Sequence, residues 1–344
     1  MLTYPVLLAD IGGTYARFAI LAEPATEPTP IWKVATANYN SPVAAIRAYF
    51  DRQVAIQVRS AFLAVAGRVD GDVTRLTNAP WRFDLNEIGL ALGLEAVRLV
   101  NDYVPLAAVL TVLDGDAATD LARIGPAGVD AGTRLVIGPG TGLGAAALIP
   151  AGDSFFIQTT EAGHIGFGPC EPDDGLSWHD LMPAKGRLTA ETLLSGAGLV
   201  RIARALAAAR GSAIEWSLPA EVLENRLMDE VASEAVKQFT RLLGRFAGDL
   251  SLLFAATGGV FVAGGIAPRI IEDLRGEAFH SAFEDKPPFH DAMRAVPRFV
   301  ITRPEPAIGG LAVILSNENT FLFPAKDWRR VEVDQCQAPA SAAP

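Results

Sequence analysis

Cysteine is almost missing from this chain: Cys170 and Cys336 are the two among 344 residues. That count excludes a disulfide framework, and their spacing fits no zinc site. Histidine is nearly as scarce, at four. Long hydrophobic runs are missing too, since no stretch approaches the roughly 18 uninterrupted apolar residues of a membrane helix. Positive charge is in short supply, with 29 Lys and Arg against 39 Asp and Glu and a formal net charge of −10. Such a balance repels nucleic acid and anionic membrane surfaces, though it leaves room for a local anion site. Residues 1–10 run straight into a strand, without a basic leader or the apolar core of a signal peptide, so a cytoplasmic location is expected. Residues 337–344, Gln-Ala-Pro-Ala-Ser-Ala-Ala-Pro, carry almost nothing that packs and read as a frayed tail.

What remains is a globular composition, 50% hydrophobic and 20% charged, in a length that suits two domains. Residues 7–21 place two apolar, strand-like runs around Asp10-Ile-Gly-Gly-Thr14. A plain hairpin explains the turn, but its two glycines also let backbone N–H groups approach a phosphate, and Thr14 adds a hydroxyl. The pattern recurs in "RLVIGPGTGLGAAALIP" at 134–150, and aligning Thr14 with Thr141 superposes strand, turn and strand without a gap. A repeat of this kind implies two similar halves, each presenting one loop, able to hold both ends of a polyphosphate between them. Gly140 to Ala145 also satisfies a loose dinucleotide fingerprint, but the run that follows ends at Pro150 too soon for a helix. A third glycine pair, Gly264-Gly265, closes a short buried strand at 260–263, with a helix expected to start near Pro268. Ahead of it, Val231, Ala235, Phe239, Leu242, Phe246, Leu250 and Leu253 recur at helical spacing and read as a core stripe.

Some polar residues stand where strands end. Asn101-Asp102 follow a strand ending at Val100, a position that suits both a helix cap and the chemistry found at the carboxyl ends of α/β sheets. Glu161 and His164 have the spacing of a metal pair, but Gly163, Gly166, Gly168 and Pro169 disfavour a helix there. Hydrogen bonding to a polyhydroxylated ligand suits them better. Thr189 reads as a cap with Glu191 in the first turn, and Thr77-Asn-Ala-Pro-Trp81 as a polar turn.

In order, D10-I-G-G-T14, T77-N-A-P-W81, N101-D102, G138-P-G-T-G-L-G144, E161-A-G-H164, E191-T-L-L-S-G196 and A263-G-G265 resemble the bacterial glucokinases of the hexokinase–actin–chaperone superfamily. The resemblance spans roughly residues 4–320. It implies an α/β, duplicated ribonuclease-H-like fold of actin or hexokinase type, with a cleft between two domains. The domains implied are 1–112 plus about 302–325, then 113–301, with 326–344 as a tail. It further implies that Ala9, Asp10, Ile11, Gly12, Gly13 and Thr14, with Gly138, Gly140, Thr141 and Gly142, hold the phosphates of ATP. Gly264 and Gly265 approach its adenosine. By the same resemblance glucose should lie against Asn101, Asp102, Glu161, His164 and Glu191, with Asp102 as the base in transfer of phosphate to the 6-hydroxyl. On the same resemblance Mg²⁺ is expected to arrive with ATP, held through water by Asp10, with no metal site of the protein's own expected. A homodimer is implied as well. Tyr15 departs from the Asn usual in the family. A related branch of sugar kinases and repressors follows its Glu-x-Gly-His with a cysteine-rich zinc motif, and that motif is absent here. The alternatives are a sugar-sensing regulator without turnover, a kinase for another hexose or N-acetylhexosamine, and an actin- or chaperone-like ATPase. The first lacks a basic patch for DNA. The last leaves Glu161, His164 and Glu191 without a purpose.

Overall fold

Two sheets of matching topology form the framework. The computed structural model describes residues 2–53, 56–69, 73–76, 80–113, 119–126, 128, 131–170, 177–184 and 186–331. Thr77, Asn78 and Ala79 of the polar turn, Cys336 and the tail at 337–344 lie outside the described residues.

The first sheet has six strands, in the order Lys326–Arg329, Ala96–Asn101, Ser60–Val65, Val6–Ile11, Tyr15–Leu21 and Trp32–Ala35. The second has seven: Phe321–Leu322, Ser154–Thr160, Leu143–Ala151, Arg134–Pro139, Gly259–Val262, Arg298–Ile301 and Leu121–Arg123. Each sheet has a central strand, Val6–Ile11 or Arg134–Pro139, that pairs antiparallel with the next strand in sequence and parallel with a later one. Beyond the parallel neighbour comes a further parallel strand and then an antiparallel edge. The duplication expected from the sequence is therefore present strand by strand. Residues 145–149 continue a strand, not a helix, which removes the dinucleotide reading.

The two turns are not the same length, contrary to the gapless alignment. Ile11 pairs with Ala16 around Gly12 to Tyr15, whereas Pro139 pairs with Leu143 around Gly140 to Gly142, one residue fewer. Composition cannot reveal this, because register is fixed by the ladder and not by the turn residues.

Alternation along the strands sends successive side chains into separate layers. Leu7, Ala9 and Ile11 join Leu63, Val97 and Leu99 under Tyr49, Trp81 and Phe83 on the outer face of the first sheet. Val6 and Leu8 point the other way, into a middle layer with Phe62 and Val100, which Val136, Ala146, Phe261 and Phe299 reach from the second sheet. The helices Tyr103–Ala108 and Pro306–Ser316 run through that middle layer. Gly310 lets them cross closely, because a Cβ there would collide with the carbonyl of Pro105. The far face of the second sheet is covered by Gly196–Ala209, Glu230–Phe254 and Glu277–Glu284.

The helix Glu230–Phe254 buries the expected stripe as far as Leu250, but Leu253 is 73% exposed. The helix ends one residue later, at Phe254, with left-handed Ala255 as its cap, so its last turn has run past the core. The expected tail from 326 is also corrected. Lys326–Arg329 is an edge strand, with Asp327 opposite Arg98 and bonded to it at 2.7 and 3.0 Å. Trp328 lies over Gly89, where a Cβ would clash with its ring. Phe321–Leu322, placed with the first domain by the sequence, pairs instead with the second sheet. Among the described residues no helix is long and apolar enough to cross a membrane.

Candidate active site

Both glycine loops come to the same cleft. The first is closed by Gly12 N–H to the Tyr15 carbonyl (2.9 Å) and braced by Thr36, whose hydroxyl donates to the Gly12 carbonyl (3.1 Å). The second is closed by Gly140 N–H to the Gly142 carbonyl (2.8 Å) and braced by Gly196 N–H to the Gly140 carbonyl (2.8 Å). They meet through Thr14 Oγ1 and Thr141 Oγ1, 3.3 Å apart. A Cβ on Gly140 or Gly265 would meet open space, so the loops offer room to an incoming group.

Other glycines are needed for packing. At Gly138 and Gly144 a Cβ would strike Tyr103, and at Gly142 the Glu191 carboxylate. Gly264 has φ +85° and sits against the Pro139 carbonyl, which brings the third glycine pair beside the second loop. Ala9 and Ile11 turn their side chains into the core, which leaves only their backbone groups to face the first loop.

The polar residues line the same cleft. Asn101 ends strand Ala96–Asn101; its Nδ2 donates to the Gly67 carbonyl (3.1 Å) and its Oδ1 accepts from Tyr103 N–H (2.9 Å). Asn101 therefore serves the start of the helix, and Asp102 makes no capping hydrogen bond. That separates the two uses its sequence position left open. Burial and the nearby Asp10, with a smaller push from Glu161, raise the Asp102 carboxyl to about 8, and the N–H groups of Asp102 and Tyr103 offset this only in part. Asp10 is also raised, by burial first, with Arg17 pulling it down and Glu305 pushing it up.

Glu161 precedes and His164 ends a single 3₁₀ turn, with His164 Nε2 3.7 Å from Glu161 Oε2 and both side chains about half exposed. A cavity of about 190 Å³ joins Glu161, Thr159 and Thr160 of the second sheet to Asn101, Arg68 and Val69 of the first. Thr189 caps its short helix as expected, and Glu191 in that first turn accepts Leu143 N–H at 2.8 Å. The expected sugar ligand is thus also a brace for the second loop.

Sequence reading missed several members of this site. Tyr103 donates its hydroxyl to the Gly138 carbonyl (3.0 Å) and so ties the helix after Asp102 to the second loop. It follows Asp102 directly, but its partner is 35 residues on. Arg17, 3.3 Å from Asp10, could have been found from hairpin register alone. Glu305 and Arg68 carry no local signal.

The sequence model of the family described as Glucokinase matches residues 7–318. A glucokinase of Mesorhizobium japonicum is 41% identical over 322 residues, 93% of this chain and 94% of that one. The crystal structure of glucokinase from an Antarctic psychrotroph, 30% identical, superposes with a TM-score of 0.76 over 92% of this chain and all of the other. A ROK family glucokinase from Streptomyces griseus, in complex with glucose and AMPPNP, shares the fold at 22% identity, with a TM-score of 0.62 over 91% of this chain and 99% of that one. The repeated sheets, the facing loops and these matches agree: the chain has the two-domain, actin- and hexokinase-type fold, and it belongs to the glucokinase family.

Proposed function

We propose that this protein transfers the γ-phosphoryl group of Mg-ATP to the 6-hydroxyl of D-glucose, giving glucose 6-phosphate at the entry to glycolysis. The observation that carries the reading is the placement of Asp102. Its carboxyl is free of capping duty, lies at a strand end in the cleft, and stands close to loops that touch across that cleft.

The donor set suits a triphosphate. Backbone N–H groups and the hydroxyls of Thr14 and Thr141 are neutral donors around open space, and Asp10 supplies an acceptor for a hydrated cation. Asp10 would hold Mg²⁺ through water, and the ion would supply neutralisation of phosphate charge. Gly265 leaves room for the adenosine, and Gly264, packed on the Pro139 carbonyl, brings that pair next to the second loop. Asn101, Asp102, Glu161, His164 and Glu191 offer both donors and acceptors, which suits a ligand with a hydroxyl on nearly every carbon. Asp102 accepts the 6-hydroxyl proton as the oxygen attacks. A carboxyl poised near 8 is a better proton acceptor than an ordinary aspartate once its charged form is populated.

The reading extends to a small-molecule substrate with no nucleic acid or membrane partner, in a cytoplasmic homodimer. The net charge of −10 supports the first part. A coupled assay over a panel of sugars and phosphate donors tests the reaction. Glucose-dependent ADP formation with Mg-ATP, far exceeding that with N-acetylglucosamine or N-acetylmannosamine, is expected. No glucose-dependent ADP at any pH from about 6 to 9 would refute it.

A further inference from the structure

Strand Arg298–Ile301 leads through residues 302–304 to Glu305, which immediately precedes the helix Pro306–Ser316 between the sheets. Glu305 is left-handed, with φ 45° and ψ 53°. That conformation is strained for a residue with a Cβ, and the proline that follows disfavours it further. Glycine or asparagine adopts it more readily. The glutamate does not repay the strain by capping the helix, because its side chain makes no capping bond.

Its carboxylate reaches the first sheet instead. Oε2 pairs with Arg17 Nε, and Oε1 lies 3.6 Å from Lys33 Nζ. Arg17 Nη1 lies 3.3 Å from Asp10 Oδ2. Asp10 stands opposite Arg17 across one ladder, and Arg17 opposite Lys33 across the next. Three charged side chains thus form a row across three strands, and Glu305 joins it from outside the sheet. The side chains of Asp10, Arg17 and Glu305 are 17%, 21% and 28% exposed, so solvent screens them only partly.

Arg17 is shared between two carboxylates, Glu305 at Nε and Asp10 at Nη1. With Glu305 neutral, the guanidinium is free to swing fully onto Asp10 and close a two-bond fork. Both Asp10 oxygens would then be occupied. We propose that Glu305 is a positioning residue for the first phosphate loop, holding Arg17 so that an Asp10 oxygen stays available to the hydrated Mg²⁺ that accompanies ATP. Neither glycine nor asparagine reaches Arg17 from this backbone, which gives the strained glutamate its reason. The proposal rests on the nucleotide reading of the loop given above.

Calorimetric titration of AMPPNP, with Mg²⁺ and with EDTA, tests it on wild type, Glu305→Gln and Glu305→Gly. Wild type should bind the analogue more tightly with Mg²⁺. In both variants that enhancement should shrink by about threefold or more, while binding in EDTA and glucose affinity stay as in wild type. Glu305→Gly removes the carboxylate and the strained Cβ together, so it supplies a folded variant should Gln disturb the turn. An unchanged Mg²⁺ enhancement in both, even with a shifted Tm, overturns the proposal and leaves the nucleotide reading intact. No analogue binding by wild type overturns both.

Discussion

Asp102→Asn should change stability in a way that depends on pH. The folded carboxyl is pushed up to about 8 from 3.8 by burial and by Asp10. Between those values the folded protein holds a proton that the unfolded chain has released, so stability falls as pH rises, and the loss is complete above the folded pKa. A gap of about 4.2 units at 1.36 kcal/mol each sets a ceiling of about 6 kcal/mol, of which about 2 kcal/mol is lost between pH 6 and 8. Relaxation of the cleft and entry of water bring the measured figure below that ceiling. Asparagine has the same shape and no charge to bury, so it escapes the loss. Urea unfolding of both ligand-free proteins over about pH 6 to 9 reads the difference directly. The advantage of Asn over Asp should grow with pH and level off above about 8. Parallel stability curves would show that Asp102 is not held in a desolvated, acid-crowded position, and the reasoning would fail.

Gly140→Val adds a side chain toward the open space between the loops without a backbone clash, so ATP affinity should fall at least about tenfold while glucose affinity holds. Calorimetry with each ligand checks this, and the reverse pattern would show that the loop serves the sugar. Glu191→Ala strips Leu143 N–H of its acceptor, so the Michaelis constants for both glucose and ATP should rise, whereas a pure sugar ligand would shift glucose alone. Gly310→Ala forces a methyl group against the Pro105 carbonyl and should cost about 1–3 kcal/mol in urea unfolding. An unchanged midpoint would mean that the two central helices have slack.

The duplicated framework was legible in the sequence because period-two apolar runs around glycine turns mark both hairpins, although not the one-residue difference between their turns. Val6–Ile11 with Tyr15–Leu21 is the clearest case. Helix Glu230–Phe254 was legible for a similar reason, being long and periodic, with Asp229 accepting from Val231 and Ala232 N–H at its start. Lys326–Arg329 was not, since its sequence Lys-Asp-Trp-Arg has little apolar alternation and its pairing depends on Arg98 and Gly89, more than 200 residues earlier. In the proposed site, the residues assigned a chemical role stood out by type: Asp102, Glu161, His164 and the glycines. Those that orient them did not, because Tyr103, Arg17 and Glu305 act through partners that only the folded chain brings near. The division of labour between Asn101 and Asp102 was also hidden, since either residue can cap a helix.

The most direct test of the account is kcat of Asp102→Asn at saturating glucose and Mg-ATP, with glucose affinity measured separately on the same protein. The account predicts a loss of about 10² to 10⁴ in kcat, the usual contribution of a general base, with glucose affinity roughly retained. A stably folded Asp102→Asn protein with near-wild-type kcat would contradict it, and would leave Asp102 as a residue that shapes the cleft without taking the proton.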